Sequence, residues 1–166
     1  MPIRQNPTAD LLALVPVHLL QGESAYETQL LQAYAQEARA YLESFPWCTG
    51  LRQLLYGIGV GGVIAVFLAE ISVKATAQEW LWVVTGDLPA AYLPMERAGA
   101  PCEALLAYCD EVGRWALEVR AGTLGPQSLA LRAEATLDVA AELEAKLLTL
   151  RRIVLPALCP PCAPPP

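Results

Sequence analysis

The chain has 166 residues, enough for one domain with a single substantial core. Hydrophobic residues make up 55% of it and charged residues only 17%, against about a quarter in ordinary soluble domains. Either the core is large or apolar surface is kept for a partner or a membrane; the net charge of −6 disfavours electrostatic capture of nucleic acid or anionic lipid.

Residues 1–7 hold two prolines and read as an irregular lead-in. Arg4 ahead of Leu11–Leu20, LLALVPVHLL, faintly resembles a signal peptide. Asp10, Pro16 and His18 break that pattern and no small-x-small site follows, so secretion is not expected. Pro16 cannot donate a backbone hydrogen bond, and the segment is expected as a turn of helix on either side of a kink.

Ser24-Ala-Tyr-Glu27 is a capping box that opens the first helix. Tyr26, Leu30, Tyr34, Ala38, Tyr41 and Phe45 recur at helical spacing, Leu31 and Leu42 widen the stripe, and Pro46 ends it.

The block Leu54–Leu93, LLYGIGVGGVIAVFLAEISVKATAQEWLWVVTGDLPAAYL, concentrates glycines, β-branched residues and tryptophans. It admits three readings. In the first, Gly62–Ile71 and Glu79–Thr85 are antiparallel strands of a hairpin, because the seven residues Ser72–Gln78 are too few for a parallel crossover of about a dozen or more. Two strands alone are marginal in water, so a third is expected at Ala91–Met95 or in the glycine run. In the second, Gly57, Gly59 and Gly62 form a G-x-G-x-x-G dinucleotide loop, with Asp87 about 25 residues on as the ribose ligand. That reading requires a helix after Gly62, and a lone fingerprint without its βαβ context is weak. In the third, Leu54–Ile71 inserts in a membrane. Only 16 residues, Leu54–Ala69, are free of charge, whereas a spanning helix needs about 20. The hairpin is favoured.

Trp82-Val83-Val84-Thr85-Gly86-Asp87-Leu88-Pro89-Ala90-Ala91-Tyr92, with the preceding GIGVGGVIAVFLAEI, resembles a signature of small uncharacterised bacterial proteins. The resemblance covers about a quarter of the chain. It implies a bacterial α+β protein and carries no activity, cofactor or site residue with it.

Pro101 suits the first position of a second helix, whose stripe is Leu105, Cys109, Val112, Ala116 and Val119. Gly122 and Gly125-Pro126 punctuate its end. A third helix is expected from about Gln127 to Leu150, with Ala133, Thr136, Ala140, Leu143, Leu147 and Leu150 as its stripe and Pro156 as its stop. The expected organisation is a single α+β domain over residues 1–155. In it an antiparallel hairpin or small sheet at about 55–95 packs with the N-terminal helix and two C-terminal helices. Residues 156–166 form a Pro/Cys-rich tail expected to be flexible.

No residue set carries an evident chemistry. His18 is the only histidine and has no nominated partner. Cys159-Pro-Pro-Cys162 is one C-x-x-C pair, whereas structural zinc typically uses two. The odd count of five cysteines does not suggest a closed disulfide framework, so Cys48, Cys102, Cys109, Cys159 and Cys162 are expected as reduced cytosolic thiols, with Cys102 and Cys109 as small core residues. Asp87 is expected to make an Asx turn before Pro89. No catalytic residue, metal ligand or cofactor is assigned. The expectation is a cytoplasmic, non-enzymatic interaction domain that binds another protein or itself through apolar surface near the hairpin. Trp80, Trp82 and Tyr92 are its candidate anchors, and nucleic acid is not an expected partner.

Overall fold

A computed structural model describes residues 14–74 and 77–160. Residues 1–13, with the signal-like start of the Leu11–Leu20 run, lie outside the described residues, as do positions 75 and 76 of the expected turn and Cys162 of the C-x-x-C pair.

The architecture is a five-stranded antiparallel meander with helices on both faces. Strand β1 (Val15–Pro16) is followed by a 3-10 turn, helix α1 (Ala25–Glu43), then β2 (Cys48–Val60), β3 (Ile64–Val73), β4 (Ala77–Gly86) and β5 (Ala91–Pro94). Helices α2 (Pro101–Ala121) and α3 (Leu137–Thr149) come next, and a π-turn (Leu150–Val154) leads into the single-turn helix α4 (Leu155–Leu158). The strands lie in sequence order. The α+β class is as expected, and both candidate third strands are present, as β2 and β5.

The expected hairpin is β3–β4, with Phe67 opposite Val83 and Leu68 opposite Trp82. Successive residues of a strand face opposite sides. Ala65, Phe67, Ala69, Ile71, Leu81 and Val83 therefore meet α1, while Ile64, Val66, Leu68, Trp82 and Val84 meet α2 and α3. Both faces of the two strands are covered, which is why they read as continuous apolar runs.

Helix α1 starts as expected: Ser24 Oγ accepts from the Glu27 amide at 3.1 Å. The reciprocal arm differs. Glu27 Oε2 takes the Glu23 amide at 2.7 Å, and Oε1 takes the Gly61 amide at 3.2 Å, tying the helix start to the β2–β3 turn. The buried line is Leu31, Ala35, Ala38, Tyr41 and Leu42, whereas Tyr26 is exposed.

Two expectations are corrected here, and neither alternative to the hairpin finds its helix. The turn of helix expected after Pro16 is present as the 3-10 turn Val17–Leu19, but Val15–Pro16 ahead of it pairs with Tyr56 and Leu55, because a residue before proline is pushed toward extended backbone. Gly62–Ile71 does not open a helix; Gly57 and Gly59 lie within β2, Gly62 makes the turn with φ +86°, and β3 follows. A β-branched run with an antiparallel partner on each side completes its hydrogen bonds in the sheet. The inserted helix at Leu54–Ile71 is accordingly not formed either: its residues are divided between β2 and β3, and no helix among the described residues is long and apolar enough to cross a membrane. The third helix begins at Leu137, ten residues later than expected, because Thr136 caps it: its hydroxyl accepts from the Val139 amide at 3.2 Å. Upstream, Leu129, Leu131 and Ala133 pack on the core at alternate positions, and the Arg132 amide bonds the Ala90 carbonyl at 3.1 Å.

Pro156 does not stop the C-terminal helical run. The π-turn shifts the Leu155 amide onto Leu150 O, and the Cys159 amide still reaches Leu155 O at 2.8 Å. The widened turn spans Arg152, whose carbonyl would otherwise meet the proline ring. Cys159, directly after α4, is disulfide-bonded to Cys102 in the first turn of α2, with Cα atoms 5.7 Å apart. This corrects the expectation of reduced thiols at those two positions, which counting could not overturn because pairing depends on the fold bringing together positions 57 apart in sequence.

Candidate functional site

The connection Gly86–Ala90 between β4 and β5 is the most heavily restrained loop of the signature region. Gly86 has φ +146°, and a side chain there would collide with the Val63 carbonyl, so glycine is required at this close approach. The Asp87 amide donates to Val63 O at 2.8 Å. The buried Tyr108 hydroxyl, from α2, donates to Pro89 O at 2.7 Å. No Asx turn is formed by Asp87; its carboxylate instead lies 3.5 Å from Lys146 Nζ.

Against this loop lies a cleft of about 240 Å³, walled by Glu37 of α1, by Arg132, and by Val139, Glu142, Leu143 and Lys146 of α3. Lys146 bonds Glu142 at 3.1 Å and also donates to the Asp87 carbonyl at 3.3 Å. Its hydrogen bond to Glu142 is the main reason its pKa is raised. Burial pushes the Glu37 carboxyl up, opposed by the positive charge of Arg132. Burial likewise raises the Tyr34 hydroxyl, helped by the charges of Asp87 and Glu37. Neither Glu37 nor Arg132 makes an ion pair among the described residues. The cleft therefore carries charge of both signs, with its lysine already satisfied. It contains no thiol or imidazole, and no group of three or more metal-ligating side chains is found among the described residues.

Arg132 also borders a second cleft of about 210 Å³ with Tyr41, Phe45 and Leu131. Beside it Phe45 stacks on Trp47 with centroids 4.9 Å apart, and Tyr92 meets both rings edge-on.

The residues singled out in the sequence are only partly brought together. Asp87 is anchored beside Val63 and so lies next to Gly62, but Gly57 faces Pro101 of α2, and a Cβ there would be 2.8 Å from the proline ring. Trp82 is fully buried, with Nε1 donating to Ala98 O at 2.8 Å, and so presents nothing to a partner. Trp80 is half-buried on the same side of the sheet, while Tyr92 belongs to the aromatic cluster on the α1 side. The three anchors do not form one surface. His18 is exposed in the 3-10 turn.

Exposed apolar surface lies elsewhere. Leu106 and Leu117 are three helical turns apart on α2, on the stripe that includes Asp110, Gly113 and Arg120; Leu137 and Leu148 are similarly placed on α3 with Glu144. The two helices run antiparallel, and ion pairs cross their outer seam between Arg120 and Glu144 and between Arg151 of the π-turn and Asp110. The leucines flank these pairs. Sequence periodicity had pointed to the inner stripes; the outer leucines carry a signal only as apolar residues off those stripes. Glu111 was also missed. It is buried on α2 and held by Arg97 and, at 3.1 Å, by Arg114.

No family model, curated protein or solved structure matches the chain.

Proposed function

We propose that this chain is a non-enzymatic protein–protein interaction domain of the bacterial cytoplasm, and that it associates with a second copy of itself through the outer face of α2 and α3. The observation that carries this reading is the exposure of four leucines along one seam: Leu106 at 44%, Leu117 at 62%, Leu137 at 65% and Leu148 at 52%. The hairpin is covered on both faces, so the apolar excess that suggested a partner is displayed by the helices instead.

The charge pattern favours a second copy. Asp110 and Arg120 on one side of the seam oppose Arg151 and Glu144 on the other, giving a rectangle whose diagonals carry like signs. Turning a second copy over, about an axis either along the seam or across it, places each charge over one of opposite sign. Such a surface is self-complementary, as a two-fold interface requires.

Sedimentation equilibrium of the full chain tests the reading. The expected result is twice the monomer mass of 17.9 kDa, with the double variant Leu117→Lys, Leu148→Lys returning to one mass at unchanged circular dichroism. A wild-type chain that stays monomeric as concentration rises, or a dimer indifferent to both substitutions, overturns it.

A further inference from the structure

We infer that Cys102 and Cys159 form a reversible thiol–disulfide latch, opened by a thiol or dithiol reductant, which straps α4 to the start of α2. The bond itself does not rest on self-association, but Arg151 lies on the proposed two-fold face, so cleavage is compared in the Leu117→Lys, Leu148→Lys background as well.

The bond joins the residue after α4, where the helical run from Leu137 ends, to the first turn of α2. Helix α4 is the final four residues of the continuous run α3–π-turn–α4, and Pro156 in it supplies no amide donor. The π-turn before it has a widened, less common hydrogen-bonding pattern. Noncovalent hold on this segment comes from Leu150 and Leu155, both buried in the core, from Val154 and Leu158, partly buried against it, and from the solvent-exposed Arg151–Asp110 pair. The covalent bond adds to this hold at the end of α4, where Cys159 follows Leu158.

Access is selective. Cys102 and Cys159 are both half-buried, so a reductant can reach the bond. Cys109, two turns further along the same side of α2, is fully buried and unpaired, and burial raises its thiol to about 11. An incoming thiolate attacks Sγ of Cys159, the Cys102–Cys159 bond breaks, and Cys102 departs as thiolate. The second thiol then attacks the reductant's own sulfur in the mixed disulfide, releasing Cys159. Two electrons pass from the reductant to the protein, the two reductant thiols end as a disulfide, and their two protons end on Cys102 and Cys159. A disulfide of the same class closes the latch by the reverse steps.

The test uses the full chain, air-oxidised or treated with dithiothreitol. Alkylation after denaturation should label three of the five cysteines in the oxidised chain and all five in the reduced one. Trypsin should cut after Arg151 and Arg152 roughly tenfold faster once the bond is reduced, because cleavage tracks the population of the opened strap. Cys102→Ser and Cys159→Ser should be cut at the reduced rate under either condition, and Cys48→Ser and Cys162→Ser should behave as wild type. If either serine variant fails to fold, the wild-type comparison with and without reductant decides alone. Five labels in the oxidised chain, a peptide map pairing Cys102 or Cys159 with another cysteine, or a cleavage rate indifferent to reductant overturns the latch.

Discussion

Replacing Trp82 by phenylalanine tests whether this residue is a core strut or a partner anchor. Its ring is fully enclosed between β3, β5 and α2, and Nε1 donates to the Ala98 carbonyl at 2.8 Å. The substitution removes that donor, and an acceptor left without its partner in the interior costs about 1–3 kcal/mol. The smaller ring also forfeits apolar burial equivalent to two or so methylenes, at about 0.8 kcal/mol each. Together the loss is about 2–5 kcal/mol, or roughly 5–15 °C in Tm for a domain of this size. Urea unfolding followed by far-ultraviolet circular dichroism measures it, with Trp80→Phe as comparison because Trp80 is only half-buried and donates no side-chain hydrogen bond among the described residues. The reasoning fails if Trp82→Phe lies within about 0.5 kcal/mol of wild type, the range of ordinary surface substitutions. Equal losses from the two substitutions would refute it as well.

Two further predictions concern the loop and the buried thiol. Gly86→Ala should destabilise by at least about 2 kcal/mol, because the new side chain meets the Val63 carbonyl at a positive φ, whereas Gly50→Ala should be nearly silent, since a Cβ there has no neighbour within 4 Å; equal chemical-denaturation midpoints would contradict this. Burial raises the Cys109 thiol from 9.0 to about 11 and the Tyr56 hydroxyl from 10.0 to about 12, so the folded chain holds these protons more tightly than the unfolded one. That contribution is fully present below the unfolded values and is lost as pH rises toward the folded ones. The Cys109 part amounts to about 2 kcal/mol by pH 11, and thermal melts from pH 8 upward should show a decline that Cys109→Ala makes shallower.

Local chemistry made much of the fold legible. The Ser24 cap, the Pro101 start and the left-handed Gly122 end of α2 are written in single residues, and the β3–β4 hairpin follows from two apolar runs with a short polar connection. What failed depended on distant partners. Leu129, Leu131 and Ala133 look compatible with a helix until the core they face and the Ala90 carbonyl are known. Pro156 reads as a stop because a π-turn has no clear sequence signal. Cys102 and Cys159 gain a role only when α2 and the π-turn–α4 run lie side by side. The cleft was even less legible: Glu37, Asp87, Arg132 and Lys146 come from four separate parts of the chain, and only Asp87 stood out beforehand.

The alternation along β3 bears on how strand register is chosen. Toward α2 and α3 it presents Ile64, Val66 and Leu68; toward α1 it presents Ala65, Phe67 and Ala69. In a sheet with one wet face, a slip of one residue is forbidden by polarity, since it would turn the apolar set to water. Over Ile64–Ala69 both faces are dry, and within that stretch polarity does not distinguish them. Volume takes over. A slip would set two alanines where isoleucine and leucine fill the α2–α3 side, opening voids, and would force branched side chains against a helix that approaches through Ala35 and Ala38. The alignment of the central strands is thus encoded as a difference in bulk between two equally oily surfaces, and enlarging Ala65 or Ala69 should loosen that alignment more than any change of surface charge.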